Sequence, residues 1–170
     1  MLTIIVPVKN ESENLKPLFD YYSRNLTDIS FEVLIINDFS DDDTFINGKN
    51  LTSKVQNFKI LNNDSKGLGG AIRLGIKNAE GKYISIMMAD QSDDIEDLKK
   101  YHNLISSEQF DAIFGSRFLK ESKIKNYPLQ KLVLNRIFNL FTSLIFWNKY
   151  NDYTNAFKIY KKEVLLEIMP

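Results

Sequence analysis

Apolar residues along the chain fall into two alternating kinds of pattern. Short continuous runs rich in β-branched and aromatic side chains occupy 3–8, 31–36, 58–61, 83–88 and 110–114. Their starts lie about 25 to 28 residues apart, the length of a strand-plus-helix unit in a parallel sheet. Ile4-Ile5-Val6 and Val33-Leu34-Ile35-Ile36 lack polar alternation, which suits strands covered on both faces. Between the runs, helices are predicted over 13–25, 44–55 (the weakest), 68–79 and 95–106. In the first, Leu15, Leu18, Phe19 and Tyr22 recur at helical spacing behind Ser12, a candidate cap. After Phe114 the rhythm breaks into a Lys-rich loop over 120–126, an apolar helix over 129–147 and a last segment to Pro170. No low-complexity tract or strong linker interrupts the chain, so the pattern predicts one α/β domain over 1–170.

The segment 129–147 approaches the roughly 20 residues of a membrane span. However, Lys131, Asn135 and Asn139 would form one polar stripe along it, and Arg136 adds a charge. A polar stripe is costly inside a bilayer, so the segment reads as an amphipathic helix lying on a surface, with a core-packing helix as the plain alternative. The opening MLTIIVPVKN has no basic region, and its apolar run is too short for a secretory leader.

Composition narrows the chemistry. With 22 basic and 22 acidic residues the formal charge is zero, which argues against a nucleic-acid binder working by phosphate neutralisation. Cys is absent, excluding disulfides, thiolate metal sites and a Cys nucleophile, and the single His102 excludes a multi-His metal cluster within one chain. His102 is expected to be a solvated helical residue. The only arginines are Arg24, Arg73, Arg117 and Arg136, so each is notable as a planar fork for phosphate. Arg24 and Arg73 fall on helices and read as surface or packing residues.

Ligands of open α/β sheets sit beyond the carboxyl ends of parallel strands. A dinucleotide fingerprint would place glycines directly after the first strand, where this chain reads Pro7-Val8-Lys9-Asn10-Glu11. The cluster Lys66-Gly67-Leu68-Gly69-Gly70 fails that pattern and also lacks the P-loop lysine. Carboxylates stand at strand ends instead: Asp38 after the second strand and Asp90 after the fourth. Two acids on one sheet edge can bind sugar hydroxyls, a base edge or a hard cation bridging phosphates. Equally, each could simply cap the next helix or turn.

Five segments, in order, resemble glycosyltransferase family 2, the inverting GT-A enzymes, and within it the polyprenyl-phosphate (dolichol-phosphate mannose synthase-like) sugar transferases. Thr3-Ile4-Ile5-Val6-Pro7-Val8-Lys9-Asn10-Glu11 is similar to the family's T-hydrophobic-P-x-x-N-E, and the stretch from Ile36 to Thr44 to its V-D-D-x-S-x-D-x-T. Lys66-Gly67-Leu68-Gly69-Gly70-Ala71, with Ala79-Glu80-Gly81, resembles the segment leading to the metal motif. Gly115-Ser116-Arg117 matches G-S-R, and the stretch from Asp152 to Tyr160 resembles D-x-T-x-x-F-[RK]-x-Y.

The resemblance implies a GT-A nucleotide-diphospho-sugar transferase fold, a mostly parallel Rossmann-like sheet flanked by helices. It implies a donor-binding part over about 1–117 and an acceptor and membrane-facing part over about 118–170. Pro7, Glu11, Asp38, Lys66 and Gly67 would hold the donor, a UDP- or GDP-hexose. Asp90 would hold Mg²⁺ or Mn²⁺, although Met88 stands where the family's D-x-D has its first acid. Arg117, with Asp90 a candidate catalytic residue, would fork onto a phosphate; Lys131, Asn135 and Arg136 would receive the acceptor's phosphate. The implied reaction is inverting hexose transfer to a polyprenyl phosphate, by a protein peripheral on the cytoplasmic face of the membrane. Relatives in the resembled family usually continue past this last motif, whereas the chain stops ten residues after Tyr160, as expected of a truncated piece, a gene fragment or a minimal version. Two alternatives stay open at this level: a family member with a soluble acceptor, whose base would be Asp93 or Asp94, and a nucleotide-sugar-binding module without turnover.

Overall fold

The computed structural model describes residues 1–119, 128–148 and 150–169, so the Lys-rich segment expected at 120–126 lies outside the described residues. The apolar runs become β1 (Leu2–Val8), β2 (Phe31–Asn37), β3 (Phe58–Asn62), β4 (Tyr83–Ile86) and β5 (Ala112–Phe114). The helices are α1 (Ser12–Asn25), α2 (Thr44–Thr52), α3 (Leu68–Asn78), α4 (Ile95–Ser106) and α5 (Leu129–Ile145). A strand that the pattern did not announce, β6 (Lys158–Lys161), leads directly into α6 (Lys162–Ile168).

The six strands run in the order β3-β2-β1-β4-β6-β5. β1 pairs in parallel with β2 and β4, and β2 with β3. β6 pairs antiparallel with β4, with Ile84 opposite Tyr160. Only four residues long, and entering after a long excursion, β6 has no place in the βα rhythm and left no periodic signal. β1 and β2 are buried along almost their whole length, which explains why both lack polar alternation. Ile5, Leu34, Ile36, Ile84, Ala71 and Ile76 form one apolar cluster joining sheet and α3, with Leu165 of α6 added to it.

The described residues form two compact units, residues 1–113 with 159–170 and residues 114–158. The first carries the parallel sheet and α1 to α4. The second carries the Gly-Ser-Arg turn, α5 and the loop before β6.

Two local expectations are corrected. Ser12 does not cap α1; it is the first helical residue, behind Glu11, and its N–H goes to Asp42 Oδ2 at 3.3 Å. A bond between loops has taken the cap's place. His102 is not simply solvated, because it is half-buried with its ring edge-on to Tyr83, centroids 5.6 Å apart. Burial, aided by the chain's amino terminus, lowers its pKa.

Candidate functional site

The parallel strands deliver their carboxyl ends to one edge, where the backbone makes three sharp turns. Asn10 after β1, Phe39 after β2 and Gln91 after β4 all sit in the left-handed region, at φ of 57°, 54° and 55°. Non-glycine residues persist there only when their surroundings hold them, a pattern that clusters at ligand sites. The loops after β1 and β2 hold each other. Asn10 N–H donates to Ser40 Oγ at 2.9 Å, Asp41 N–H to Asn10 Oδ1 at 2.8 Å, and Glu11 N–H to Thr44 Oγ1 at 2.9 Å. Asp42 accepts from the Thr44 N–H and hydroxyl, which draw its carboxyl below the usual range. The Ser-x-Asp-x-Thr stretch is therefore the frame of this edge.

Pro7 occupies the point where the sheet opens. β1 pairs with β2 as far as Val8, but with β4 only as far as Ile5. Residues of a parallel strand address alternate neighbours, and Val8 O accepts from Asp38 N–H on the β2 side. The N–H that Pro7 lacks would have faced β4, where pairing has already ended.

Asp38 is the best-defined group at this edge. Its Oδ1 accepts Asn63 Nδ2 at 2.7 Å and Gly67 N–H at 2.8 Å. Partial burial pushes its carboxyl up, but these two donors, with the charges of Lys9 and Lys66, outweigh that and the net shift is downward. Asn63 is itself buried, at 6% exposure. Its Nδ2 also reaches Ser65 O at 2.7 Å while its Oδ1 accepts Ser65 N–H at 3.2 Å. Gly67 reaches Asp38 from a φ of 107°, available only to glycine. A Cβ on Gly70 would lie 1.7 Å from Ser65 O, so this glycine lets the first turn of α3 close onto the loop. The glycine cluster thus serves to aim a backbone N–H at Asp38. Sequence reading missed Asn63; its only signal was a second polar residue just past the end of β3.

Glu11 is half-exposed and accepts Asn14 Nδ2 at 2.5 Å, and Lys66 is exposed beside Gly67. Asp90 is exposed in the turn after β4, with Oδ1 accepting Ser92 N–H at 3.0 Å. Asp94 caps α4 through the Glu96 N–H at 2.8 Å, which accounts for this nominee as a base. Among the described residues no three His, Asp or Glu side chains gather as a metal cage. The donor set nevertheless suits a hard cation held largely by a ligand's phosphates: Asp90 is an exposed oxygen donor, and the soft thioether of Met88 would not compete for such an ion.

In the second unit Arg117 turns its fork onto Asp152, with Nε to Oδ2 at 2.9 Å and Nη2 to Oδ1 at 2.6 Å. Nη2 also reaches Thr154 Oγ1 at 2.7 Å, so the Gly-Ser-Arg and Asp-x-Thr segments are bound together. Arg117 and Arg136 both lie over the Phe118 ring, at 5.6 and 5.0 Å from its centroid. The structure brings these two candidates together, whereas Lys131 is simply exposed on α5 and Asn135 half-buried there. The expected polar stripe is split, because Asn139 alone is buried, accepting Tyr153 N–H at 2.6 Å. The apolar residues of α5 are mostly exposed. No helix among the described residues is long and apolar enough to cross a membrane.

Comparison with known proteins agrees with this architecture. At 30% identity over 79% of its length, the chain is similar to 38% of a dolichol-phosphate mannosyltransferase of Pyrococcus furiosus. It is 25% identical, over 99% of its length, to 56% of a dolichyl-phosphate beta-glucosyltransferase of Dictyostelium discoideum. The chain therefore spans between about two-fifths and three-fifths of these relatives. The S. aureus TarS structure with UDP superposes with a TM-score of 0.64 at 21% identity, over 98% of this chain and 48% of that one. A Pyrobaculum calidifontis mannosyltransferase with GDP-Man and Mn²⁺ gives 0.67 at 15%, over 99% and 46%. Both share the GT-A fold. The sequence profile described as "Glycosyl transferase family 2" matches residues 3–169, nearly the whole chain, and with the fold and the five ordered segments it establishes that this chain belongs to glycosyl transferase family 2.

Proposed function

We propose that the chain binds a nucleoside-diphosphate hexose at the carboxyl edge of its sheet and transfers the hexose, with inversion, to a polyprenyl phosphate. The observation that carries this reading is Asp38, a carboxylate fixed by Asn63 and Gly67 where open α/β sheets take their nucleotides. Family membership supports the reaction class, and the relatives named for dolichol phosphate support the acceptor class.

In this reading Pro7, Glu11, Asp38, Lys66 and Gly67 form the donor site. Asp90 would hold Mg²⁺ or Mn²⁺, which when bound offsets the charge of the departing diphosphate. Arg117, Lys131, Asn135 and Arg136 would meet the acceptor phosphate, with Arg117 also keeping its own loop in place through Asp152. A phosphate monoester has a second pKa near 6 and is largely dianionic at neutral pH. Its oxygen can attack the anomeric carbon without a strong protein base, so no residue need be assigned that task.

Peripheral membrane attachment through 129–147 is supported by the exposure of Leu134, Ile137, Phe141, Leu144 and Trp147 on and just after α5; the cytoplasmic face is proposed with it. Apolar side chains in such numbers are unfavourable in water and favourable at an acyl boundary. The test is transfer of radiolabel from UDP- and GDP-hexoses in vesicles with and without polyprenyl phosphate. Label extracting with lipid only when that phosphate is present is expected. Label appearing in soluble glycan instead overturns the acceptor assignment.

A further inference from the structure

We infer that Tyr21 is a positioning residue for Asp90: its hydroxyl ties down the loop that would bring that carboxylate to a cation. This rests on the reading above of Asp90 as the metal ligand. With Met88 two residues before it, Asp90 has no acid at that position to share the task, so the placing of its loop matters the more. The loop runs from Met87, just past β4, to Ile95, the first residue of α4. Its turn is self-contained: Gln91 N–H donates to Met88 O at 3.4 Å, Asp90 Oδ1 accepts Ser92 N–H at 3.0 Å, and Gln91 sits at a φ of 55°. Asp90 is thereby fastened to its own loop, and the ends of the loop decide where it stands.

Two consecutive residues of α1 meet those ends. Successive helical residues project about 100° apart, so neighbouring tyrosines can reach different parts of one loop. Tyr22 is 1% exposed, and its hydroxyl donates to Met87 Sδ at 3.6 Å. Met87 N–H also donates to Ile5 O at 3.0 Å, so the sheet itself fixes the start of the loop. Sulfur is a weak acceptor, and Tyr22 adds little to that beyond packing. The far end has no strand to hold it. There Tyr21, half-buried, accepts the Ile95 N–H on its hydroxyl at 3.2 Å. That N–H is one of the donors a helix start leaves without an intrahelical partner. Asp94 accepts the next one, from Glu96, at 2.8 Å, so two side chains divide the start of α4 between them. An open groove of about 450 Å³, lined by Tyr21, Gln91 and charged residues of α1, lies beside the bond. Gln91 faces this groove rather than a packed neighbour, which leaves the Tyr21 bond to hold the loop on that side.

Tyr21→Phe removes the hydroxyl and keeps the ring, so the circular dichroism spectrum should stay that of the wild type. Hydrogen exchange of the full chain, without metal or nucleotide, should quicken at amides 90–95. Exchange there as slow as in the wild type shows the loop held without Tyr21 and overturns the inference. Calorimetry with UDP and with GDP, in Mn²⁺ and in chelator, then reads the gain in affinity that the cation brings. For whichever nucleotide binds more tightly, that gain should fall about tenfold in Tyr21→Phe, the lower end for losing a group that orients a metal ligand. Affinity in chelator should not change, whereas a general loosening of the fold would lower it. A wild-type gain in Tyr21→Phe, beside a gain abolished in Asp90→Ala, overturns the positioning role and leaves Asp90 as the ligand. A wild-type gain in both variants, or no gain in the wild type, overturns the Asp90 reading and this inference with it. Absence of binding by both nucleotides overturns the donor site as well.

Discussion

Arg117 and Asp152, 35 residues apart, form a two-pronged ion pair in which the same carboxylate also accepts the Arg117 backbone N–H at 2.8 Å. Asp152 is fully buried, while the Arg117 side chain keeps 27% exposure. The pair thus closes the Gly-Ser-Arg turn onto the Asp-x-Thr loop from inside the second unit, and a point charge could not reproduce its planar geometry.

Removing the arginine would strand a buried carboxylate. Arg117→Ala is expected to lower stability by about 3 kcal/mol, the range for breaking a buried pair from one side. Arg117→Lys should recover only part of this. Urea unfolding followed by circular dichroism measures it, and an unshifted midpoint for Arg117→Ala would show the pair to be inconsequential.

Gly70→Ala forces a methyl group against Ser65 O, where the undisturbed distance would be 1.7 Å. Backbone must move, at a cost of about 2 kcal/mol, and the movement displaces the Gly67 N–H from Asp38. Thermal unfolding should therefore fall together with affinity for UDP. Loss of stability with unchanged affinity would separate this glycine from the site.

His102 supplies a pH dependence of determined sign. Its folded pKa lies below the unfolded value of about 6.5, chiefly through burial. Between those two values the unfolded chain binds more protons, so stability rises with pH there. The contribution is complete above about pH 6.5 and is lost as pH falls through the folded value. Urea midpoints from pH 5 to pH 8 should show this slope in the wild type and lose it in His102→Gln. An identical slope in both would assign the effect elsewhere.

Phe141 and Trp147 are 62% and 92% exposed, so replacing both with Asp should leave folding nearly unchanged. Burial of two aromatic side chains contributes roughly 3 to 6 kcal/mol on an area basis, so vesicle association should fall at least about tenfold. Co-sedimentation with vesicles containing anionic lipid measures this, and undiminished pelleting would remove α5 as the contact.

Asp90→Ala should abolish the dependence of nucleotide affinity on Mg²⁺ or Mn²⁺ while leaving metal-free binding in place. Titration of UDP with cation and with a chelator is the measurement. A cation effect of wild-type size in the variant would exclude Asp90 as the ligand.

Much of the molecule was legible from pattern alone. Strands buried on both faces leave continuous apolar runs, and amphipathic helices leave a helical stripe, so β1 to β4 and α1, α3 and α4 stood out within a few residues. Asp38 and Asp90 were identifiable because strand ends are local events. β6 was not, since a short antiparallel insertion breaks the βα rhythm without a period of its own. Glu32 was equally unreadable inside an apolar run: it is buried, accepting the Thr3 hydroxyl and the Glu80 N–H at 2.6 Å each.

What the sequence by itself determined is the alternation of elements and the edge of the sheet to which its acids and glycines belong. Both follow from side-chain periodicity over a dozen residues and from the direction of parallel strands. Only the tertiary structure decided what those groups do there. It assigned Asn63 and Gly67 to one oxygen of Asp38, turned Arg117 onto Asp152, and buried Asn139 while leaving its apolar neighbours on α5 exposed. Each is a contact between residues distant in the chain, fixed by where whole elements pack. Local spacing carries no trace of such a partner.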